Sequence, residues 1–305
     1  MKLLREPASD GGIDQATGGG PEACVATIGM FDGVHRGHRQ VLANLRARGE
    51  WSGLPTALVT FDPHPRAVLR GDAGAPKLLS SLADRLQLLA ATGAVDYALV
   101  LRFDAARAGQ SADEFVSTVL LRQLGMRQLV VGENFACGRG RQGSVDYLAD
   151  LGIRLGFSVS PVALDSIPAL GGGSSGASVR SSSTEARRLI SLGDLAGASA
   201  VLERPHELTG IVTRSLSRVG ASRVVEAELP ATMCAPAAAD YVGEVRPMQP
   251  GGGWFSALLH VGGQSGQTVR FEAARDLEAR RGDPLRLRFV GRASGRAPIQ
   301  DRTFA

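Results

Sequence analysis

Five short strand-like segments mark the chain up to residue 162, at residues 24–28 (CVATI), 58–61 (LVTF), 97–101 (YALVL), 128–131 (QLVV) and 158–162 (SVSPV). Each is long enough for one strand and too short for a helix. The first, a short apolar run that ends at Gly29, suits a strand buried on both faces, the condition of a parallel sheet. Between the runs the apolar positions recur at helical spacing. One such stretch covers residues 38–48, and another starts at Ser81-Leu82-Ala83-Asp84, an N-cap pattern, with Leu82, Leu86 and Leu89 on one face. A third begins at the capping box Ser111-Ala112-Asp113-Glu114 and runs to about Leu124, and a fourth covers residues 146–151. Strand and helix in alternation predict an α/β, Rossmann-like domain with a parallel sheet.

The texture then changes. Residues 171–176 (GGGSSG) have linker composition, and a helical pattern follows from Ser183 or Thr184 to about Leu202. After Arg204-Pro205 only strand patterns remain, at residues 208–213, 223–229, 241–245, 254–261, 268–273 and 285–290. They predict a small antiparallel β-barrel or sandwich. Residues 250–253 and 262–266 are Gly-rich turn material. The expected organisation is a loose polar leader at 1–22, an α/β domain at 23–203 and a β domain at 204–305.

Composition narrows the function. The 305 residues carry a net charge of +4, and Lys occurs only at Lys2 and Lys77. A mild basic excess suits a phosphate-rich ligand, while the scarcity of Lys reads as a high-GC codon bias toward Arg; no basic run interleaved with aromatics points to nucleic acid. Cys24, Cys137 and Cys234 lie far apart with no metal-ligand spacing, so no metal site is expected. No stretch approaches a membrane span, and a cytoplasmic location is the default expectation.

The most informative segment is residues 29–38, GMFDGVHRGH. A buried strand ends, glycines make a turn, and a helix begins near two histidines. Backbone N–H groups and a positive helix end then converge on one spot, a natural phosphate site. Gly33 and Gly37 let a large ligand approach the backbone. His35 and His38, three residues apart, are placed to face the same anion and to hold charge that builds on a phosphate during in-line attack. A turn with two idle histidines is the bland alternative. A GxGxxG fingerprint is absent here, which argues against a nicotinamide enzyme.

The stretch TIGMFDGVHRGH resembles the signature of bacterial bifunctional riboflavin kinase/FMN adenylyltransferases (FAD synthetases), within the wider HxGH nucleotidyltransferases. The likeness continues through Val59-Thr-Phe-Asp-Pro-His-Pro65, Val131-Gly-Glu-Asn-Phe135, residues 138–143 (GRGRQG) and Ser182-Ser-Thr184 with Arg187. It implies transfer of AMP from ATP, carried with Mg²⁺, to FMN, giving FAD and pyrophosphate. It implies His35, His38 and Arg187 as catalytic groups. Gly29, Phe31, Asp32, Gly33, Gly37, Ser183 and Thr184 would bind ATP. Phe61, His64, Pro65, Asn134 and Phe135 would bind flavin. Cys137, Glu185 and Ala186 depart from the family's usual residues. Two other readings stay open: an HxGH transferase with another phosphate acceptor, and a non-catalytic flavin- or nucleotide-binding protein. The oligomeric state is not legible.

Residues 204–210 (RPHELTG) resemble the start of a riboflavin kinase barrel. Active members carry G-x-P-T-A-N next, and here the best register sets Val225-Glu-Ala-Glu228 over PTAN. Glu226 and Glu228 would then face a triphosphate with like charge. No later segment with the family's catalytic Glu is evident. Riboflavin kinase activity is therefore expected to be absent.

Overall fold

The structure, a computed structural model, describes residues 1–5, 19–71, 74–164, 166–168, 178–217, 223–263, 266–273 and 277–293. The chain divides into two compact units, Met1–Pro76 with Leu82–Ile167, and Lys77–Ser81 with Pro168–Ala305. The division at 167/168 leaves the helical stretch before residue 203 with the barrel strands rather than with the α/β part. The reason is packing: the second of its helices lies against the first and last barrel strands.

In the first unit the elements are β1 (Lys2–Arg5), β2 (Cys24–Ile28), α1 (Arg36–Ser52), β3 (Thr56–Asp62), α2 (Pro65–Arg70), α3 (Leu82–Ala91), β4 (Tyr97–Arg102), α4 (Ala105–Gly109), α5 (Ala112–Phe115), β5 (Met126–Gly132), β6 (Ala136–Cys137), β7 (Gly143–Ser144), α6 (Val145–Leu155) and β8 (Ser158–Val162). Six strands form one sheet in the order β1-β4-β3-β2-β5-β8, parallel throughout. All five expected strands are present. One face is covered by α1 and α3 through Val41, Leu42, Leu45 and Leu89. The other is covered through Phe115, Val116, Val119, Leu120, Leu148 and Leu151. β2 lies wholly buried near the middle. The strand order turns back between β2 and β5, and ligands of open α/β sheets bind beyond the carboxyl ends at such a point.

Two local expectations change. Lys2–Arg5, inside the stretch read as a loose leader, adds an edge strand paired with β4; Leu4 is fully buried there, so its burial drives the pairing. Residues 6–18 lie outside the described residues. The capping box at Ser111 and Glu114 forms as expected, but the helix continues from Val116 to Gln123 in π geometry. A pattern read at 3.6 residues per turn does not distinguish the two, and π turns gather at functional sites.

In the second unit come β9 (Ser166–Pro168), β10 (Ser178–Arg180), α7 (Ser183–Leu192), α8 (Leu195–Leu202), β11 (His206–Ser217), β12 (Arg223–Glu228), β13 (Ala239–Pro247), β14 (Phe255–Gly262), β15 (Thr268–Ala273) and β16 (Pro284–Arg292). The expected linker at 171–176 lies outside the described residues. The single helix expected to reach residue 202 is two helices. Gly193, at φ 76°, closes α7 in the left-handed conformation, and the Asp194 side chain caps α8 by accepting from Gly197 N. The six β strands close into an antiparallel barrel, β11-β12-β15-β14-β13-β16. Closure rather than a sandwich leaves no bare edge. Its interior is filled by side chains, with Val225, Tyr241, Leu259, Phe271, Leu287 and Phe289 all fully buried.

Candidate active site

Three loops leave the carboxyl edge of the first unit's sheet, after β2, β3 and β5, and each holds one of the sequence motifs. The loop after β2 is compressed. Phe31 sits at φ 50°, Val34 at φ 40° and Gly33 at φ 77°. Glycine adopts such angles freely, but for Phe and Val they are strained, and strain of this kind persists only where the surroundings enforce it. Phe31, Asp32 and Val34 are all buried, so they shape the turn from inside.

His35 ends the turn and caps α1: its Nδ1 accepts a hydrogen bond from His38 N at 3.3 Å. That use of Nδ1 puts the ring proton of neutral His35 on Nε2, leaving an N–H donor on the far side. The two imidazoles stack with centroids 3.6 Å apart and an interplanar angle of 23°. Phe31 backs His38 at 4.9 Å. His35 is buried and His38 half-buried. Gly37, between them, is also buried. The pair therefore sits at the positive end of a 17-residue helix.

The loops after β3 and β5 line a cavity of about 570 Å³, within the usual range for a small-molecule site. Phe61, His64, Pro65, Asn134 and Phe135 are all on its wall, with Gly29 and Met30 of the histidine turn. His64 caps α2 by accepting from Arg66 N at 3.1 Å, and Pro65 opens that helix. Asn134 O receives Arg141 Nη2 at 3.2 Å. Residues 138–142 form the tip of the β6–β7 hairpin, Gly143 opens β7, and Cys137 lines the cavity. Burial pushes the Cys137 thiol up to about 11.

Several wall residues went unread in the sequence. Phe103 and Phe115 join Phe61: Phe61 and Phe103 meet edge-on at 5.6 Å, and Phe61 and Phe115 lie 6.3 Å apart. With Phe135 they place four of the chain's ten Phe around one cavity. The only hint was that Phe103 follows a strand end. Arg66, Arg70, Arg107 and Arg141 complete the wall, and no Asp or Glu faces it among the described residues. The interior is aromatic and the margin cationic. Arg85, from α3, was also missed. It lies almost fully buried behind the turn.

The remaining expected residues lie in the second unit. Ser183 and Thr184 open α7, capped by Ser182, whose side chain accepts from Glu185 N at 3.2 Å. Arg187 donates from Nε to Lys77 O at 2.6 Å. Glu185 is held by Arg188 at 2.6 Å and 2.8 Å, and that bond keeps its carboxyl below the usual range. Ala186 is fully buried. Among the described residues no group of three or more His, Cys, Asp or Glu could hold a metal ion. No helix there is long and apolar enough to cross a membrane.

Residues 19–168 match the family model described as FAD synthetase. This part of the chain belongs to the FAD synthetase family. The FAD synthetase domain contains the whole histidine turn and every residue of the cavity wall. The chain is 37% identical over 212 residues to the bifunctional riboflavin kinase/FMN adenylyltransferase of Escherichia coli (strain K12), a match covering 70% of this chain and 62% of that protein. It is 36% identical over 189 residues to the protein of the same description from Pseudomonas fluorescens, covering 62% of this chain and 57% of that protein. The matches thus span less than two thirds of those relatives' length. Among solved structures, the crystal structure of a macrolide-efflux protein from Streptococcus pneumoniae has a TM-score of 0.75 at 20% identity, over 98% of this chain and 94% of that one. At that identity the likeness is one of fold.

Proposed function

We propose that the FAD synthetase domain transfers AMP from ATP to FMN, forming FAD and pyrophosphate. The observation that carries this reading is convergence. The five residues assigned to flavin from motifs far apart in sequence line one aromatic cavity, and that cavity is walled on another side by Gly29 and Met30 of the histidine turn. A flat tricyclic ring suits the phenylalanine interior, and the guanidinium margin suits the phosphate of FMN.

In the proposed reaction an oxygen of the FMN phosphate attacks the α-phosphorus of ATP. The P–O bond to the β-phosphate breaks, and pyrophosphate leaves with the bond's electron pair. No covalent enzyme intermediate is required. His35, with its Nε2–H, and His38 offset charge on the α-phosphate in the transition state, assisted by the N-terminus of α1. Mg²⁺ enters as part of the ATP substrate, held by its phosphates. The polyphosphate roles of Ser183, Thr184 and Arg187 rest on motif resemblance. Incubation of purified protein with FMN, ATP and Mg²⁺, followed by chromatography, should yield FAD. A folded protein that forms none overturns the reading.

We further propose that the barrel lacks riboflavin kinase activity. Val225 and Ala227 point into the filled core, which turns Glu226 and Glu228 to the outer surface. There Glu226 pairs with Arg270 at 3.2 Å. Instead of facing a triphosphate, as the sequence register suggested, the first carboxylate is already neutralised by a neighbouring strand. Incubation with riboflavin, ATP and Mg²⁺ should give no FMN, and detectable FMN rejects this.

A further inference from the structure

One buried cation of the first unit is unused by that mechanism. Arg85, on α3, is only 3% exposed. Its Nη1 donates to Met30 O at 3.0 Å and its Nη2 to Phe61 O at 3.1 Å. The first carbonyl belongs to the histidine turn and the second to the loop of the flavin cavity, and both residues line that cavity. Thr60 Oγ1 adds a second donor to Met30 O at 3.2 Å. One planar group therefore bridges the ends of β2 and β3 just where the chain enters its strained turn.

Such an arrangement is an expensive way to fill a core position. A buried guanidinium loses hydration, and apolar residues of similar volume often stabilise a fold more. Arg85 Nε has no hydrogen-bond partner among the described residues. Burial lowers the pKa of Arg85, and the facing charges of Asp32 and Asp62 partly oppose that. Packing alone would be served by Met or Leu, so the fork geometry is what distinguishes the residue.

We propose that Arg85 is a positioning residue for adenylyl transfer, tying the histidine turn to the flavin loop and thereby setting the FMN phosphate against the α-phosphorus of ATP. This rests on the proposed function and adds to it a part that touches neither substrate.

The test compares Arg85→Met, which keeps the length but neither hydrogen bond, with Arg85→Lys, which keeps the charge and reaches one carbonyl. Thr60→Val is a milder variant at the same carbonyl. FAD formation is measured with ATP and FMN varied, and folding by circular dichroism and thermal melting. Misalignment of two reactants predicts a kcat loss of about 10- to 100-fold for Arg85→Met. Both KM values should stay within about threefold, with an unchanged or higher melting temperature, partial recovery in Arg85→Lys and a smaller kcat loss in Thr60→Val. A folded Arg85→Met within about twofold of wild-type kcat overturns the proposal. So does a loss that tracks unfolding in all three variants. If the wild type makes no FAD, the function reading falls by itself. Arg85 is then judged by the FMN dissociation constant, measured by flavin fluorescence with and without ATP. Arg85→Met should remove a coupling of about threefold or more between the two ligands, and equal coupling in both proteins overturns the proposal.

Discussion

The histidine turn and the β12 strand of the barrel treat polar side chains in opposite ways. In the turn, strained backbone at Phe31 and Val34 holds two stacked imidazoles at a helix end, with a buried guanidinium behind them. In β12, alternation sends Val225 and Ala227 into the core and leaves Glu226 outside, paired with Arg270. The turn keeps polar groups poised beside a cavity. The strand instead pairs Glu226 with an arginine of the neighbouring strand. What the contrast teaches is that resemblance to a site is not enough: the sequence register set Glu226 over a ligand motif, yet the barrel pairs that carboxylate with Arg270 on its own wall.

Four measurements break or sharpen this contrast. If the barrel is chiefly packing, Phe289→Ala, at a fully buried position, should cost about 3–5 kcal/mol of stability in urea unfolding. If the turn is chiefly chemistry, His38→Ala should lower kcat for FAD formation about 10²- to 10³-fold, near 3–4 kcal/mol of transition-state stabilisation. Its stability should change by no more than about 1 kcal/mol; a loss as large as that of Phe289→Ala would reduce the turn to a packing element. A third measurement addresses the cavity. Because burial raises the Cys137 thiol to about 11, its neutral form prevails at pH 8. Alkylation there should be slow, should quicken as pH rises toward that value, and should be retarded by FMN. Fast labelling at pH 8 that FMN leaves unaltered would remove Cys137 from the wall. The smallest effect belongs to β12: Glu226→Gln should change stability by about 0.2–1 kcal/mol and yield no FMN from riboflavin.

Much of the site was legible because its parts sit at strand ends, where a buried apolar run stops at glycine, proline or histidine. The flavin assignments at Phe61, His64, Pro65, Asn134 and Phe135 came from motifs, and the fold gathers them around one cavity. Phe103 and Phe115 carried no such mark, since a lone aromatic after a strand or within a helical stripe reads as ordinary core. Arg85 was hidden for a related reason: within Leu82–Ala91 it looks like a solvated helix charge until α3 is laid against the sheet. The edge strand at Lys2–Arg5 was missed because four residues carry too little pattern, and only pairing with β4 makes them a strand.

The order of elements, the change from alternating helix and strand to strand alone, and the glycine-histidine turn were determined by the sequence itself, because they depend on neighbours a few residues apart. Which strand lies beside which, how β2 comes to sit between β3 and β5, and that one guanidinium reaches two loop carbonyls were decided only by tertiary structure. Strand pairing and burial join residues distant along the chain, and no local periodicity encodes which of them will meet.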